Sequence, residues 1–342
     1  MAGFRGETKT RTVAIAFAAG SAGILGTLAQ LLLGVPALAE TWPTRAVTMV
    51  APGAAGSSVD VVARILAPGL SESLGRQVIV ENIGGAGGMN GVARVAKATP
   101  DGYQFVLGHS GTHAINQTLY KHPLYDAALD FAPVALIAEL PIVLIARSNL
   151  PVDNLQGFIT YAKANQAKMQ YASPGVGSTV QLACALLNAR IGIDVTHIPY
   201  RGGGPAMQDL IAGLVDYQCA TTAAALPQIE SGTVKPLAIL TKDRSPILPS
   251  LASAHEQGLN DFEVVSWNAF FLPKGTPKPI VQRLNEATTA TLDTPLVQAR
   301  LHANGATVVA PERRSSEYLQ KFVTSEIAKF AASIRASGLS MD

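Results

Sequence analysis

Residues 169–187, MQYASPGVGSTVQLACALL, read as a short strand, a tight loop and a helix. Gln170 to Ala172 suits extended backbone, and Pro174, Gly175 and Gly177 then break regular structure and allow close backbone approach. Ser178 and Thr179 are good helix N-cap residues; Val180, Ala183, Cys184 and Leu187 follow at helical spacing. A helix that opens in such a loop offers free N–H groups, hydroxyls and the positive end of its dipole, which together make an anion site without a charged side chain. One such loop is equally an ordinary strand-to-helix connection. This chain repeats the device.

Outward from that stretch, strand-like and helix-like segments alternate. Val47–Ala51 leads through PGAAGSS (52–58) into an amphipathic segment at 60–74, and Val78–Val80 through IGGAGGMNG (83–91) into a helix carrying Val92 and Val95. Gln104–Leu107 leads through GHSGT (108–112) into a helix near 114–119. Val195–Ile198 runs into Tyr200-Arg201 and a triglycine turn, and Val215–Cys219 through Thr221-Thr222 into a helix at 223–229. Such alternation predicts parallel α/β sheets, with ligands at the C-terminal ends of strands. Two places interrupt it: the extended runs 134–137 and 142–146, read as consecutive strands, and the long extended segment 264–272. These are natural crossing points between two lobes. The expected organisation is a signal peptide at 1–39, one α/β lobe from 40–141 plus 266–342, a second from 142–265, and a ligand cleft at the hinge.

Arg5, Lys9 and Arg11 precede an uncharged run from Thr12 to Ala39 that ends Pro36-Ala37-Leu38-Ala39, an A-x-A site. These are the three regions of a secretory signal peptide, the alternative being a retained membrane anchor. Removing Arg5, Lys9, Arg11 and Glu7 from 26 basic and 24 acidic residues leaves 23 of each. A balanced chain without basic clusters gives no sign of a nucleic-acid partner, and none is expected. Cys184 and Cys219 are the two cysteines. Export permits a disulfide, but one sits on an apolar helix face and the other ends a strand, so two buried free thiols are expected. Two distant cysteines are too few for a metal site.

The loops PGAAGSS, GHSGT, SPGVGST and ATTA share a pattern: each follows a strand, opens a helix, supplies small residues and hydroxyls, and lacks Lys, Arg, Asp and Glu. Together they describe a small-molecule pocket that holds an anion. The residues concerned are Ala54, Ala55, Gly56, Ser57 and Ser58; Ser110, Gly111 and Thr112; Ser173, Gly175, Gly177, Ser178 and Thr179; and Thr221 and Thr222. Enzyme readings fit less well. Gly108-His109-Ser110-Gly111 starts a G-x-S-x-G elbow, but Thr112 stands at its fifth position. His109 and His113 have a zinc-like spacing without the glutamate of H-E-x-x-H. Asn90 stands where the glycine run would need its third G-x-G-x-x-G glycine, so no nucleotide cofactor is expected. Arg201 would place a cation at the cleft or serve structure alone.

Several stretches in order and at matching spacing carry a resemblance over essentially the whole mature chain: VENIGGAGGMNG (80–91), ATPDGYQFVLGHSGTHAIN (98–116), YASPGVGSTVQLA (171–183), HIPYRGGGPAMQDLIAG (197–213) and SWNAFFLPKGTP (266–277). The chain resembles the periplasmic solute-binding proteins of tripartite tricarboxylate transporters, the Bug or TctC-like family. The resemblance implies a type II periplasmic binding-protein fold closing like a clamshell, no catalysis, no cofactor or metal, and a monomer. It implies a small organic-acid ligand whose carboxylate is held by Ala54–Ser58 and Ser173–Thr179, and partners in the large and small membrane transporter subunits. Two departures stand out. Gly53 replaces an aromatic residue found in many members, which suggests a more open wall. Thr221-Thr222 stands where many carry an acid, which leaves no side-chain carboxylate for a ligand ammonium. The same fold and pocket would serve a ligand-sensing subunit that addresses a membrane kinase, and the incomplete elbow leaves an exported serine hydrolase as a remote alternative.

Mass spectrometry of protein recovered from the periplasm should find an N-terminus at Glu40; an intact Met1 terminus there would contradict cleavable export.

Overall fold

The computed structural model describes residues 42–260 and 262–337. The signal segment 1–39 lies outside the described residues, among which no helix is long and apolar enough to cross a membrane. Three strand–helix units come first. β1 (Val47–Ala51) precedes α1 (Ser58–Leu74), and β2 (Val78–Asn82) precedes α2 (Met89–Ala96). β3 (Gln104–His109) passes through a π-turn, Gly111–Ile115, into the short α3 (Asn116–Leu119). β1 lies parallel between β2 and β3. α1 buries Val59, Val62, Ala63, Leu66 and Leu70 at helical spacing and stops at Gly75, whose φ of 69° is the left-handed conformation of a C-cap.

The apolar runs around 134–146 are one strand rather than two: β4 spans Phe131–Arg147. Almost every residue from Val134 to Ala146 is buried, because both faces of the strand are covered, and a strand so placed shows no apolar–polar alternation for sequence to report. After β4 come α4 (Leu155–Asn165), β5 (Gln170–Ser173), α5 (Thr179–Ile191), β6 (Thr196–Pro199), α6 (Gly203–Ile211), β7 (Tyr217–Thr221), α7 (Thr222–Glu230) and β8 (Val234–Ile239). The chain closes with β9 (Val265–Pro273), α8 (Lys278–Leu292), α9 (Pro295–Ala303), β10 (Thr307–Val308) and α10 (Ser316–Ser337).

The sheet is mixed, which corrects the expectation of parallel sheets alone. β5 runs parallel to β6 and β7, but β4 is antiparallel to β7, β8, β9 and β10, and β9 is antiparallel to β3. Residues 131–141 of β4 pair with β9, and residues 142–146 pair with β7, so the strand changes partners between Pro141 and Ile142. One apolar cluster runs from Val106 and Leu136 through Leu144 to Leu182 and Leu187, roofed by Leu319, Val323 and Phe330 of α10. Trp267 of β9 is buried beneath that helix and donates its Nε1–H to Glu326 Oε2 at 2.9 Å.

The expectation of two free thiols is also corrected. Cys184 of α5 and Cys219 of β7 form a disulfide, with Cα atoms 5.5 Å apart. Each cysteine does lie on a buried apolar face, as its neighbours suggested. The two faces look at one another, and a sequence separation of 35 hides that. The bond joins the helix that follows one candidate loop to the strand that precedes another.

Replacing both Cys184 and Cys219 by Ala should lower unfolding stability by about 3–4 kcal/mol, the loop-closure value for this separation. A urea titration would read this; an unchanged midpoint would contradict it.

Candidate functional site

The first candidate loop is suspended from β2 and from the first turn of α1. Its turns close through Gly53 N–H to Ala51 O (2.8 Å) and Ser57 N–H to Ala54 O (3.1 Å). Gly56 N–H donates to Asp60 Oδ2 at 2.8 Å, and the Asn82 amide donates both to Asp60 Oδ1 (2.9 Å) and to Gly53 O (3.2 Å). Arg64 Nε completes the set at 3.0 Å. Burial of Asp60 by itself would raise its carboxyl, but the hydrogen bonds from Arg64, Gly56 and Asn82 outweigh that and hold it below the usual range. The one carboxylate beside this loop is therefore already neutralised by its neighbours. Ser57 occupies the N-cap position of α1, yet its Oγ makes no capping bond; it is buried and has no hydrogen-bond partner. Gly53 itself leaves little room for a side chain: a Cβ there would lie 2.7 Å from Ser57 Oγ and 2.8 Å from Val59 Cγ1.

The glycine run 84–88 joins this loop to the others. A Cβ on Gly88 would lie 2.8 Å from Pro52 O, 2.8 Å from Thr112 Cγ2 and 3.4 Å from His109 Nε2. One on Gly87 would lie 3.3 Å from Gly177 O, and the Asn116 amide donates to Gly87 O at 3.3 Å. The sequence reading set this run aside as a failed nucleotide motif. Its role is contact: a side chain on Gly88 would collide with Pro52 and Thr112, and one on Gly87 would crowd Asn116 and Gly177.

In the loop after β3, His109 N–H donates to Thr112 Oγ1 and Thr112 Oγ1 returns a bond to His109 O, both at 3.0 Å. The Ser110 and Thr179 hydroxyls are 2.9 Å apart, and Ser110 Oγ lies 3.4 Å from Ser266 Oγ of β9. Ser110 is thus held by two hydroxyls, with no histidine hydrogen-bonded to its Oγ among the described residues, and the elbow reading lacks its base. His113 stacks on Phe271, ring centroids 3.8 Å apart, with its Nδ1 2.9 Å from Thr112 Oγ1. Burial, and secondarily the neighbouring His109, hold it neutral. Among the described residues no group of three or more His, Cys, Asp or Glu could hold a metal ion.

Ser178 caps α5 as expected, accepting from Gln181 N–H at 3.3 Å and donating to Gly175 O at 2.8 Å. Ser173 Oγ lies 2.7 Å from His197 Nε2, and it also accepts from Gly175 N–H at 3.1 Å. These two serines shape the loop, and Thr179 carries its contact with Ser110. Ala54, Ala55 and Gly56 are exposed at the tip of their loop, with Ser57 and Ser58 half-buried behind them. The last pair separates: Thr221 caps α7 through Ala224 N–H at 3.4 Å, whereas Thr222 is fully buried and donates to Gly305 O at 2.9 Å, between α9 and β10. The Thr222 hydroxyl is therefore not free for a ligand's far end. Sequence reasoning omitted His109, Asn116, Ser266 and Asn268. Asn116 and Asn268 are buried, each with an Oδ1 that has no partner, and Asn268 sits opposite His109 in the β3–β9 ladder. The signal for all four lay in stretches already quoted, HSGTHAIN and SWNAFF.

The family model described as "Tripartite tricarboxylate transporter family receptor" matches residues 62–339. The chain is similar to the solved periplasmic binding protein BugD, at 38% identity and a TM-score of 0.83, over 88% of this chain and 100% of that one. It is similar to MatC from Rhodopseudomonas palustris with bound malate, at 39% identity and TM-score 0.81, over 85% of this chain and 99% of that one. An R. palustris protein solved with adipate matches at 34% identity and TM-score 0.82, over 87% of this chain and 99% of that one.

Because the Asp60 carboxyl titrates lower when folded, its contribution to stability is present above the ordinary carboxylate range and is lost as pH falls through the depressed value. The stability gap between wild type and Asp60→Asn should therefore be full at about pH 7 and shrink steadily as the pH falls below the ordinary carboxylate range. Urea unfolding across that range tests it, and a gap independent of pH would contradict it.

Proposed function

The chain belongs to the tripartite tricarboxylate transporter receptor family, a family of substrate receptors and not of enzymes, and from that membership we propose that it captures a small dicarboxylate in the periplasm and delivers it to the large and small membrane subunits of a secondary transporter. The observation that carries the proposal is the Ser57 hydroxyl, buried at the N-terminus of a 17-residue helix and without a partner. A carboxylate there would accept from that hydroxyl and from the first-turn N–H groups of α1, with the helix dipole favouring its charge. The Ser110 and Thr179 hydroxyls, 2.9 Å apart, are the further donors of the proposed site. The malate of MatC and the adipate of the second R. palustris protein support the ligand class.

The ligand is unaminated. Asp60 is already paired with Arg64, Asn82 and Gly56, and neither Thr221 nor Thr222 brings a carboxylate to the site. An ammonium would have to be buried without a counter-charge, which costs more than its few hydrogen bonds return. Capture works by closure of the two lobes, 40–141 plus 266–342 on 142–265. The change of partners along β4 between Pro141 and Ile142 supports a hinge there. The protein acts as a monomer exported through its cleaved signal.

A thermal-shift panel should show stabilisation by malate, succinate or adipate and none by aspartate or glutamate. Calorimetry on the best acid should show Ser57→Ala and Thr179→Val each losing about 1.5–3 kcal/mol, one to two decades of affinity. Stabilisation by the amino acids alone would overturn the ligand class, and full affinity in both variants would place the carboxylate elsewhere.

A further inference from the structure

His109 lies outside the anion loops as the sequence defined them, yet its ring has a fixed orientation beside them. Gly111 N–H donates to His109 Nδ1 at 3.1 Å. A nitrogen that accepts a hydrogen bond carries no proton, so in the neutral ring the proton sits on Nε2. The backbone on both sides of the ring is fixed as well, because Thr112 Oγ1 bridges His109 N–H and His109 O. The Nε2 edge faces Gly88, where a Cβ would come within 3.4 Å of it, and Gly88 itself presses on Pro52 at the start of the Ser57 loop. The ring is half-buried, and its Nε2 has no hydrogen-bond partner among the described residues. Burial also keeps the ring neutral, its pKa pushed down to about 4.

We propose that His109 is a ligand-contacting, specificity-determining residue: a neutral imidazole locked by Gly111 as the Nε2–H tautomer, which donates one hydrogen bond to an oxygen of the bound acid. The assignment rests on the dicarboxylate reading of the site. A neutral donor suits that site on physical grounds. It binds a carboxylate, hydroxyl or carbonyl oxygen and offers nothing to an ammonium, so it selects against amino groups without requiring a buried cation. Protonating Nδ1 would set it against the Gly111 N–H, donor facing donor, so the lock also protects the tautomer.

Two substitutions separate the two nitrogens. Asn at 109 keeps an acceptor near the Nδ1 position and removes the distal donor, whereas Gln reaches the Nε2 position with an amide N–H and gives up the Nδ1 acceptor. Calorimetry with malate, succinate and adipate should show His109→Asn weakened by about 10- to 100-fold at unchanged melting temperature, and His109→Gln recovering most of that loss. Nitrogen-15 NMR of histidine-labelled wild type should show His109 with a pyridine-type Nδ1 and a pyrrole-type Nε2, the latter moving when the acid is added. Wild-type affinity in His109→Asn, an equal loss in both variants together with lower melting temperatures, or an Nδ1-protonated resonance would each overturn the assignment. If wild type binds none of the acids, the dicarboxylate reading falls and this one with it; if wild type binds and Ser57→Ala weakens it while His109→Asn does not, only the role of His109 falls.

Discussion

The site depends on backbone meeting backbone without side chains in between. Gly88 touches Pro52 and Thr112, and Gly87 touches Gly177, so the loops after β1, β3 and β5 come together on the glycine run after β2. At Gly88 the φ of 91° adds a second reason for glycine, since any other residue would be strained there even with space available. This convergence sets the loops that carry Ser57, His109 and Ser110, and Thr179 against one glycine run. Each comes from a separate strand-to-helix unit, and none could define a pocket alone.

The electrostatic design follows from what these loops omit. A lysine or arginine would bind a carboxylate strongly, but it would leave a buried cation to be neutralised in the empty receptor. Hydroxyls and helix N–H groups are neutral donors, so the empty loops carry no such cost, and each would contribute a charge-assisted bond to an acid held as proposed. The ion pair that does exist, Asp60 with Arg64, lies behind the loop and orients Gly56 and Asn82. Reversible capture is better served by several moderate donors than by one strong ion pair, since a receptor must also release its ligand.

Much of this was legible in the sequence. Glycine punctuation, hydroxyl caps and apolar periodicity located β5, Ser178 as cap and the start of α5 almost to the residue, because those signals are local. The misses share a non-local cause. β4 buries both faces and so showed no period, and its antiparallel pairing with β9 is decided by residues well over a hundred positions downstream. Cys184 and Cys219 each looked like a buried thiol because neither carries a mark of the other. Thr222 looked like a site hydroxyl, but in the fold it donates its hydrogen bond to Gly305 O. The role of residues 84–88 was hidden for the same reason: their glycines serve contacts with other loops, and a motif scan tests only their own spacing.

The most direct measurement is a crystal structure of the protein grown with succinate or malate. One carboxylate should lie within hydrogen-bonding distance of Ser57 Oγ and the first-turn N–H groups of α1, enclosed by Ser110 and Thr179. Density for the acid at any other place, with Ser57 Oγ still unpartnered, would contradict the account.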